Sequence, residues 1–120
     1  MERQELLEAL GKGLREVDAV VVEGARDEEA LRSLFPWVNV VRLNTGRDMV
    51  SLAEELSSLY ARILVLTDFD RKGRILGRRL SHLLRSMGVA VDDALRREFA
   101  SLGLVHVEEL PAVIERITTQ

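Results

Sequence analysis

Residues 63–74 of the chain read ILVLTDFDRKGR, and this stretch decides the fold. The aliphatic run 63–66 predicts a strand of a parallel sheet, because such a strand is covered by helices on both faces. Two carboxylates, Asp68 and Asp70, follow the strand, and a basic helix start containing Gly73 comes next. In an open α/β sheet, chemistry takes place outside the carboxyl ends of the strands. We therefore expect Asp68 and Asp70 at a functional site.

The spacing of these two acids is compatible with a metal ion. Side chains at i and i+2 of an extended chain point the same way, so Asp68 and Asp70 could bind one hard cation. Oxygen ligands suit Mg²⁺ or Mn²⁺. The structural alternative is that Asp70 caps the next helix and Asp68 is a turn residue. The pair by itself leaves both interpretations open.

A second strand ends in the same way and favours the metal. Residues 20–27 read VVVEGARD, so Glu23 ends an aliphatic strand and Gly24 follows at once. Glycine allows a sharp turn or close approach to a ligand. The two strand ends bring Glu23, Asp68 and Asp70 to one edge of a sheet, where three carboxylates repel unless a cation neutralises them. A metal site is the simplest resolution.

These segments resemble the two motifs of the Toprim domain. Glu23-Gly24, with Asp27 three residues beyond the glycine, is similar to the first motif. The D-x-D-x-x-G pattern of residues 68–73 is similar to the second. About 45 residues separate them, as two βα units require. Topoisomerases, bacterial-type primases, overcoming-lysogenisation nucleases and ribonuclease M5 share this domain, and residues 66–75 are most similar to the ribonuclease M5 form.

The resemblance covers residues 18–91 and implies a small, stand-alone Toprim protein of the archaeal type. The βα alternation of the sequence also predicts a three-layer α/β/α, Rossmann-like fold with a mostly parallel sheet. The 120 residues are expected to form one domain. Its C-terminal β/α extension, 92–117, follows the core and contains a last strand predicted at 104–107.

One position departs from the topoisomerase form of the motif. Those members carry another acid two residues after the second aspartate, and this chain has Lys72 there. One or two bound ions therefore both stay open. Topoisomerase chemistry would also need a nucleophilic tyrosine, and the single tyrosine, Tyr60, lies near a predicted helix end. Topoisomerase activity is not expected.

The helix after Asp70 has a basic outer face. A helical projection places its leucines toward the sheet, with Lys72 and Arg79 beside this apolar stripe. The opposite side carries no acid, and its cationic or titratable residues are Arg71, Arg74, Arg78, His82 and Arg85. A charged face is also what any solvated helix shows. Because the first turns adjoin the acids, we expect phosphate contacts from Arg71, Lys72, Arg74 and Arg78.

The other segments have mainly structural interpretations. Asp27 suits the first turn of a helix predicted from residue 27, where acids favour the helix dipole. Residues 45–48 have the spacing of a capping box that opens a helix at 46. His106 has no motif around it and is expected to be structural. Helices are also predicted at 3–15, 92–100 and 111–117, and strands at 19–23, 38–43 and 89–91.

Composition narrows the function classes. The absence of cysteine excludes disulfides and thiolate zinc sites and fits a reducing compartment. A net charge of −3 does not indicate nucleic-acid binding, so any basic surface that binds nucleic acid must be local. No apolar run approaches transmembrane length and the first residues do not resemble a signal peptide, so a cytoplasmic location without membrane partners is expected.

These observations together predict a metal-dependent protein that acts on nucleic acid. Asp68 and Asp70 would hold Mg²⁺, with Mn²⁺ as a substitute, and Glu23 would complete the coordination or act as the catalytic acid or base. The expected reaction is phosphodiester cleavage in structured RNA or DNA, with a homodimer or protein partner assisting binding. The alternative is a non-catalytic Mg²⁺-dependent binding module. Primase-like nucleotidyl transfer is a third interpretation, which the small size argues against.

Overall fold

The computed structural model describes residues 1–119, which form a four-stranded sheet and six α-helices. The strands are β1 Ala19–Val22, β2 Val40–Arg42, β3 Arg62–Val65 and β4 Ala90–Val91. The helices are α1 Arg3–Arg15, α2 Ala25–Leu34, α3 Met49–Leu59, α4 Arg71–Ser86, α5 Asp93–Ala100 and α6 Leu110–Thr118. A short 3₁₀ helix, Val107–Glu109, precedes α6. No helix in residues 1–119 is long and apolar enough to cross a bilayer.

All strands of the sheet are parallel, in the order β2-β1-β3-β4. Val20 of β1 lies opposite Val40 of β2 on one side and Leu64 of β3 on the other. The carboxyl ends of β1 and β3 are therefore direct neighbours, which confirms the adjacency predicted from the two aliphatic runs. The strand order reverses between β1 and β3, at the centre of the sheet, and open α/β sheets bind their ligands at such a point.

Helices cover both faces of the sheet, which confirms the three-layer prediction. Val20, Val22, Leu64 and Leu66 pack in one apolar cluster with α1, α2, α5 and α6. The alternate residues of the same two strands, including Val21 and Val65, pack with α3 and α4. Because successive side chains of a strand point to opposite faces, a continuous aliphatic run supplies both clusters. Each fully buried Val, Ile or Leu stabilises the fold by about 1.5–3 kcal/mol.

The strand predicted at 104–107 is wrong. Leu104 and Val107 are buried, but they pack in the cluster with α1, α2, α5 and α6 and do not pair with a strand. This segment makes a loop and the 3₁₀ helix, and its Val105 carbonyl accepts a 2.7 Å hydrogen bond from the Phe69 N–H. A short apolar run cannot distinguish burial under a helix layer from burial in a sheet.

Two predicted helix starts also move. The helix predicted from 46 begins at Met49, and its N-cap is Asp48, whose side chain accepts a 2.9 Å hydrogen bond from the Ser51 N–H. Thr45 therefore does not open a capping box. The helix predicted from 27 begins at Ala25, because Asp27 accepts a 3.0 Å hydrogen bond from the Gly24 N–H at the N-cap. Asp27 thus has the structural role that its position indicated.

Candidate functional site

The loop between β3 and α4 is held in place by close packing around Gly73. A Cβ at this position would lie 2.2 Å from the carbonyl oxygen of Asp68, so only glycine allows α4 to approach the strand end this closely. The buried Thr67 hydroxyl donates a 2.6 Å hydrogen bond to the Gly73 carbonyl. The glycine of the D-x-D-x-x-G pattern therefore sets the position of both aspartates.

Asp70 is the N-cap of α4. Its Oδ1 accepts a 2.7 Å hydrogen bond from the Gly73 N–H, while its Oδ2 lies 3.3 Å from Nε2 of His106. The capping role and an interaction at the site are therefore compatible, because each uses a different carboxylate oxygen.

Asp68 is bound from two directions. Its backbone N–H donates a 2.8 Å hydrogen bond to Oε2 of Glu23, at the end of β1. Its side-chain Oδ1 accepts a 2.8 Å hydrogen bond from the Val107 N–H, at the start of the 3₁₀ helix. The strand ends and the 104–109 segment thus fix this side chain together.

Asp68, Asp70 and His106 form a candidate metal group. One ligand atom from each side chain lies within 4.8 Å of the other two, and all three residues are half-buried. Two ligands of one ion stand at most about 4.2 Å apart if each metal–ligand distance is about 2.1 Å. Small side-chain movements would therefore let all three bind one cation, and the Asp–Asp–His set fits a divalent metal.

Sequence reasoning missed His106. It is 36 residues away from Asp70 in the chain and has no motif around it, so no sequence signal indicated the site. The Phe69–Val105 and Asp68–Val107 hydrogen bonds bring its loop to the strand end. Desolvation lowers the pKa of His106, but the carboxylates of Asp68, Glu109 and Asp70 outweigh it, and the pKa is raised overall.

Glu23 lies beside this group without belonging to it. Burial raises the pKa of the Glu23 carboxyl, the hydrogen bond from the Asp68 N–H opposes the rise, and the charges of Asp68, Asp27 and Asp70 add to it. Burial likewise raises the pKa of Asp27, with further repulsion from Asp68 and Glu108. Acids whose charged forms are disfavoured concentrate at this sheet edge, as they do at functional sites.

A cleft of about 630 Å³ opens next to the acids. Its size is that of a small-ligand site. Acidic, basic and apolar side chains all line the cleft. The lining residues include Glu23, Asp27, Asp68, Glu108, Arg26, Arg47, Lys72, Asn44, Leu43, Met49 and Leu76.

The predicted phosphate-binding residues of α4 lie on two different sides of the helix. Lys72 lines the acidic cleft, and Arg71 stands beside it at the same end of α4. Arg74 and Arg78 instead line a separate groove that α4 forms with α5. Across residues 1–119, none of these four side chains forms an ion pair. The sequence placed Lys72 beside the apolar stripe and the three arginines on the outer face. Arg74 and Arg78 do share that side, whereas Arg71 lies with Lys72.

Arg96 of α5 is a second residue that the sequence did not reveal. Its guanidinium donates hydrogen bonds to the carbonyls of Val65 (3.0 Å), Thr67 (2.9 Å) and Asp68 (3.3 Å). It also stacks over the Phe69 ring at 4.4 Å. Burial lowers the pKa of Arg96, while the charges of Asp93, Glu23 and Asp68 oppose the shift. This arginine caps the last carbonyls of β3 beneath the acids.

The relatives of the chain identify its family. It is 37% identical over 101 residues to the UPF0292 protein TV1259 of Thermoplasma volcanium, which covers 81% of this chain and 82% of that protein. The chain belongs to the UPF0292 family. A second UPF0292 protein, PH1700 of Pyrococcus horikoshii, is 34% identical over an alignment of 122 residues, and the match covers 98% of this chain and 91% of the relative. No family model matches the sequence.

Solved structures share the UPF0292 fold. A protein from Aquifex aeolicus superposes with a TM-score of 0.75 at 28% identity, over 88% of this chain and 95% of that one. The zinc-binding and RNA polymerase domains of the Aquifex aeolicus primase give a TM-score of 0.52, also at 28% identity. That match covers 90% of this chain and 28% of the primase. The UPF0292 chain is thus similar to a small, primase-like domain.

Proposed function

We propose that this UPF0292 protein is a single Toprim domain that binds a divalent metal and cleaves phosphodiester bonds in RNA or DNA. The observation that carries the proposal is the meeting of Asp68, Asp70 and His106 within 4.8 Å, at the sheet edge where Glu23 also ends its strand. The likeness to part of a primase supports nucleic acid as the substrate. Residues 18–91 would be the motif-bearing core, and 92–117 would supply His106 and Arg96.

Asp68, Asp70 and His106 would hold one ion. Carboxylates suit Mg²⁺ and Mn²⁺, whereas an imidazole ligand is more typical of transition metals, so Mn²⁺ suits the mixed set better. A bound divalent ion neutralises phosphate charge and lowers the pKa of a water molecule.

Glu23 would be the catalytic base. Its Oε2 is engaged by the Asp68 N–H, so Oε1 is the atom that can accept a proton from the attacking group. Its raised pKa, caused first by burial, brings it closer to the range in which a carboxylate transfers protons effectively at neutral pH. Arg71, Lys72, Arg74 and Arg78 would bind the flanking phosphates.

The test compares metal binding and cleavage in matched variants. Asp70→Asn keeps a good N-cap for α4, because asparagine caps as well as aspartate, so it removes charge alone. We expect calorimetry to show a Mn²⁺ site in the wild type that Asp68→Asn and Asp70→Asn lose. Asp48→Asn, at the N-cap of α3, is the control and keeps the site. Wild-type titration in both site variants would contradict the metal assignment.

A non-catalytic binding module is the second candidate. One oxygen of Asp68 and one of Asp70 already accept backbone hydrogen bonds, which suits acids that fix a loop as well as acids that bind metal. Labelled RNA and DNA incubated with Mn²⁺ or Mg²⁺ separate the two candidates. Cleavage that Glu23→Gln abolishes supports the enzyme, and metal-dependent binding without cleavage supports the module. Addition of nucleotides to the same assay tests primase-like transfer.

A further inference from the structure

A groove of about 450 Å³ lies between α4 and α5, separate from the acidic cleft. Its cationic and titratable lining is Arg74, Arg78, His82, Arg85 and Arg96, and Asp93 is the single acid that lines it within the described chain. We propose that this α4–α5 groove binds the phosphate backbone of a single nucleic-acid strand and leads it to the acids of the sheet edge. The destination of the strand rests on the proposed function, and binding in the groove does not.

The groove carries an excess of positive charge, although the chain as a whole has more acidic than basic residues. The chain carries a net charge of −3, and four arginines elsewhere, Arg32, Arg42, Arg47 and Arg62, form ion pairs with acids. Within residues 1–119, Arg74 and Arg78 form none, and Arg85 pairs with Asp93. Like charges that face one groove repel each other, and a bound anion would offset that repulsion.

The groove runs away from the acids along one side of α4. Arg74, Arg78 and Arg85 recur at helical spacing, and the distance from the first to the last is about 16 Å at 1.5 Å per residue. At the near end, the Arg74 N–H donates a 2.9 Å hydrogen bond to the Asp70 carbonyl, and Arg96 contacts the Asp68 carbonyl. The groove therefore begins one helical turn after Asp70 and beside the backbone of Asp68.

The lining favours the backbone of a strand over its bases. No Phe, Tyr or Trp lines the groove in the described residues, and the Phe69 ring lies against the Arg96 guanidinium. A large aromatic platform for base stacking is therefore not available there. Arginine forks match phosphate oxygens in a bidentate geometry. Binding should accordingly be independent of sequence and sensitive to salt.

The test is fluorescence anisotropy with a labelled oligothymidylate in EDTA, so that no metal contributes. The double variant Arg78→Ala/Arg85→Ala should bind roughly tenfold more weakly. Its slope of log affinity against log salt should flatten by about 1.4, at about 0.7 for each lost phosphate contact. Arg79→Ala is the matched control, because Arg79 is exposed on the same helix and does not line the groove. It should bind like the wild type.

Asp93→Asn supplies a test of opposite sign. It removes the acid from the groove and frees Arg85, so the oligonucleotide should bind more tightly, which misfolding cannot explain. Three results would overturn the proposal: an Arg79→Ala loss equal to that of the double variant, unchanged binding in the double variant, or equally strong competition by polyglutamate, which would identify an acidic polypeptide as the partner. Because the assay contains EDTA, oligonucleotide binding by a wild type that shows no Mn²⁺ site in calorimetry would contradict the metal assignment and leave the groove standing, so the two failures are distinguishable.

Discussion

The backbone N–H of Asp68 donates a 2.8 Å hydrogen bond to Oε2 of Glu23, across 45 residues of chain. This bond joins the ends of the two central strands, β1 and β3, and brings a third carboxylate against the loop that carries Asp68 and Asp70. Glu23 therefore gains a hydrogen bond and is exposed to the charges of Asp68, Asp27 and Asp70. A hydrogen bond therefore holds Glu23 in place while neighbouring carboxylates repel its charge, and this combination is typical of functional sites.

Glu23→Gln should stabilise the metal-free protein at neutral pH. The folded state raises the pKa of Glu23, so ionisation of this carboxyl favours unfolding, and a neutral amide that keeps the acceptor oxygen removes that cost. The melting temperature in EDTA should therefore rise at pH 7. Below pH 4.5, the ordinary value of this group, the carboxyl is protonated in both states and the difference should vanish.

The control for this comparison is Glu54→Gln. Glu54 is exposed on α3, so its replacement should leave the melting temperature unchanged at both pH values. A lower melting temperature for Glu23→Gln at pH 7 would show that the hydrogen bond to Asp68 outweighs the repulsion.

His106→Asn should weaken Mn²⁺ binding by roughly tenfold or more, because it removes a nitrogen ligand from the group. The protein should still fold, since the side chain of His106 is exposed by 45%. Calorimetric titration with Mn²⁺ measures the effect. The other histidine, His82, lies in the α4–α5 groove, and His82→Asn is the matched control. If both variants titrate like the wild type, His106 is only an ion-pair partner of Asp70.

Gly73→Ala should be strongly destabilising although alanine favours helices. The new Cβ would lie 2.2 Å from the Asp68 carbonyl oxygen, so the start of α4 or the β3–α4 loop must shift. Such overpacking costs about 1–3 kcal/mol or more. Urea unfolding measures the change, and Mn²⁺ affinity should fall with it.

The paired variant is Gly24→Ser. Gly24 is the N-cap of α2 in an extended conformation, with nothing within 4 Å of an added Cβ, and serine is a preferred cap. It should be as stable as the wild type or slightly more so. Similar losses at both glycines would mean that the close packing at Gly73 is not what requires glycine.

The sequence predicted the sheet and three of the acids near its edge for one reason. An aliphatic run that ends in a carboxylate constrains both the strand and the position of its last residue, so Glu23, Asp68 and Asp70 could be placed together before the structure was known. The aliphatic runs were therefore enough to predict where these three residues lie in the fold. The roles of these residues stay predictions until metal binding and cleavage are measured.

The residues that the sequence did not reveal depend on tertiary contacts. His106 reaches the acids only because Val105 and Val107 form backbone hydrogen bonds with the β3–α4 loop. The short, mostly apolar run 104–107 suits a strand, but its Leu104 and Val107 are buried under helices instead. The sequence placed Arg71 on one outer face with Arg74 and Arg78, whereas the structure has Arg71 beside Lys72 near the cleft and the other two in the groove.

Arg96 shows the same limit and supports the last prediction. An arginine in an amphipathic helix is indistinguishable from a solvated one in the sequence, yet this guanidinium donates to three carbonyls at the end of β3. Arg96→Ala should cost about 2–4 kcal/mol, because it removes the guanidinium donor from the carbonyls of Val65 and Thr67, two buried residues. Arg96→Lys should not restore the loss, because one ammonium cannot reproduce the planar fork.

Arg97→Ala, one residue further along α5, is the control for Arg96. Arg97 is exposed, so its loss should change the free energy of unfolding by less than about 0.5 kcal/mol. Urea unfolding in EDTA measures all three variants. Because Arg96 also holds the carbonyl of Asp68, Mn²⁺ affinity should fall in both Arg96 variants and stay constant in Arg97→Ala. Full stability in Arg96→Lys would show that a single positive charge under the acids is enough, and that the guanidinium fork does not position the strand end.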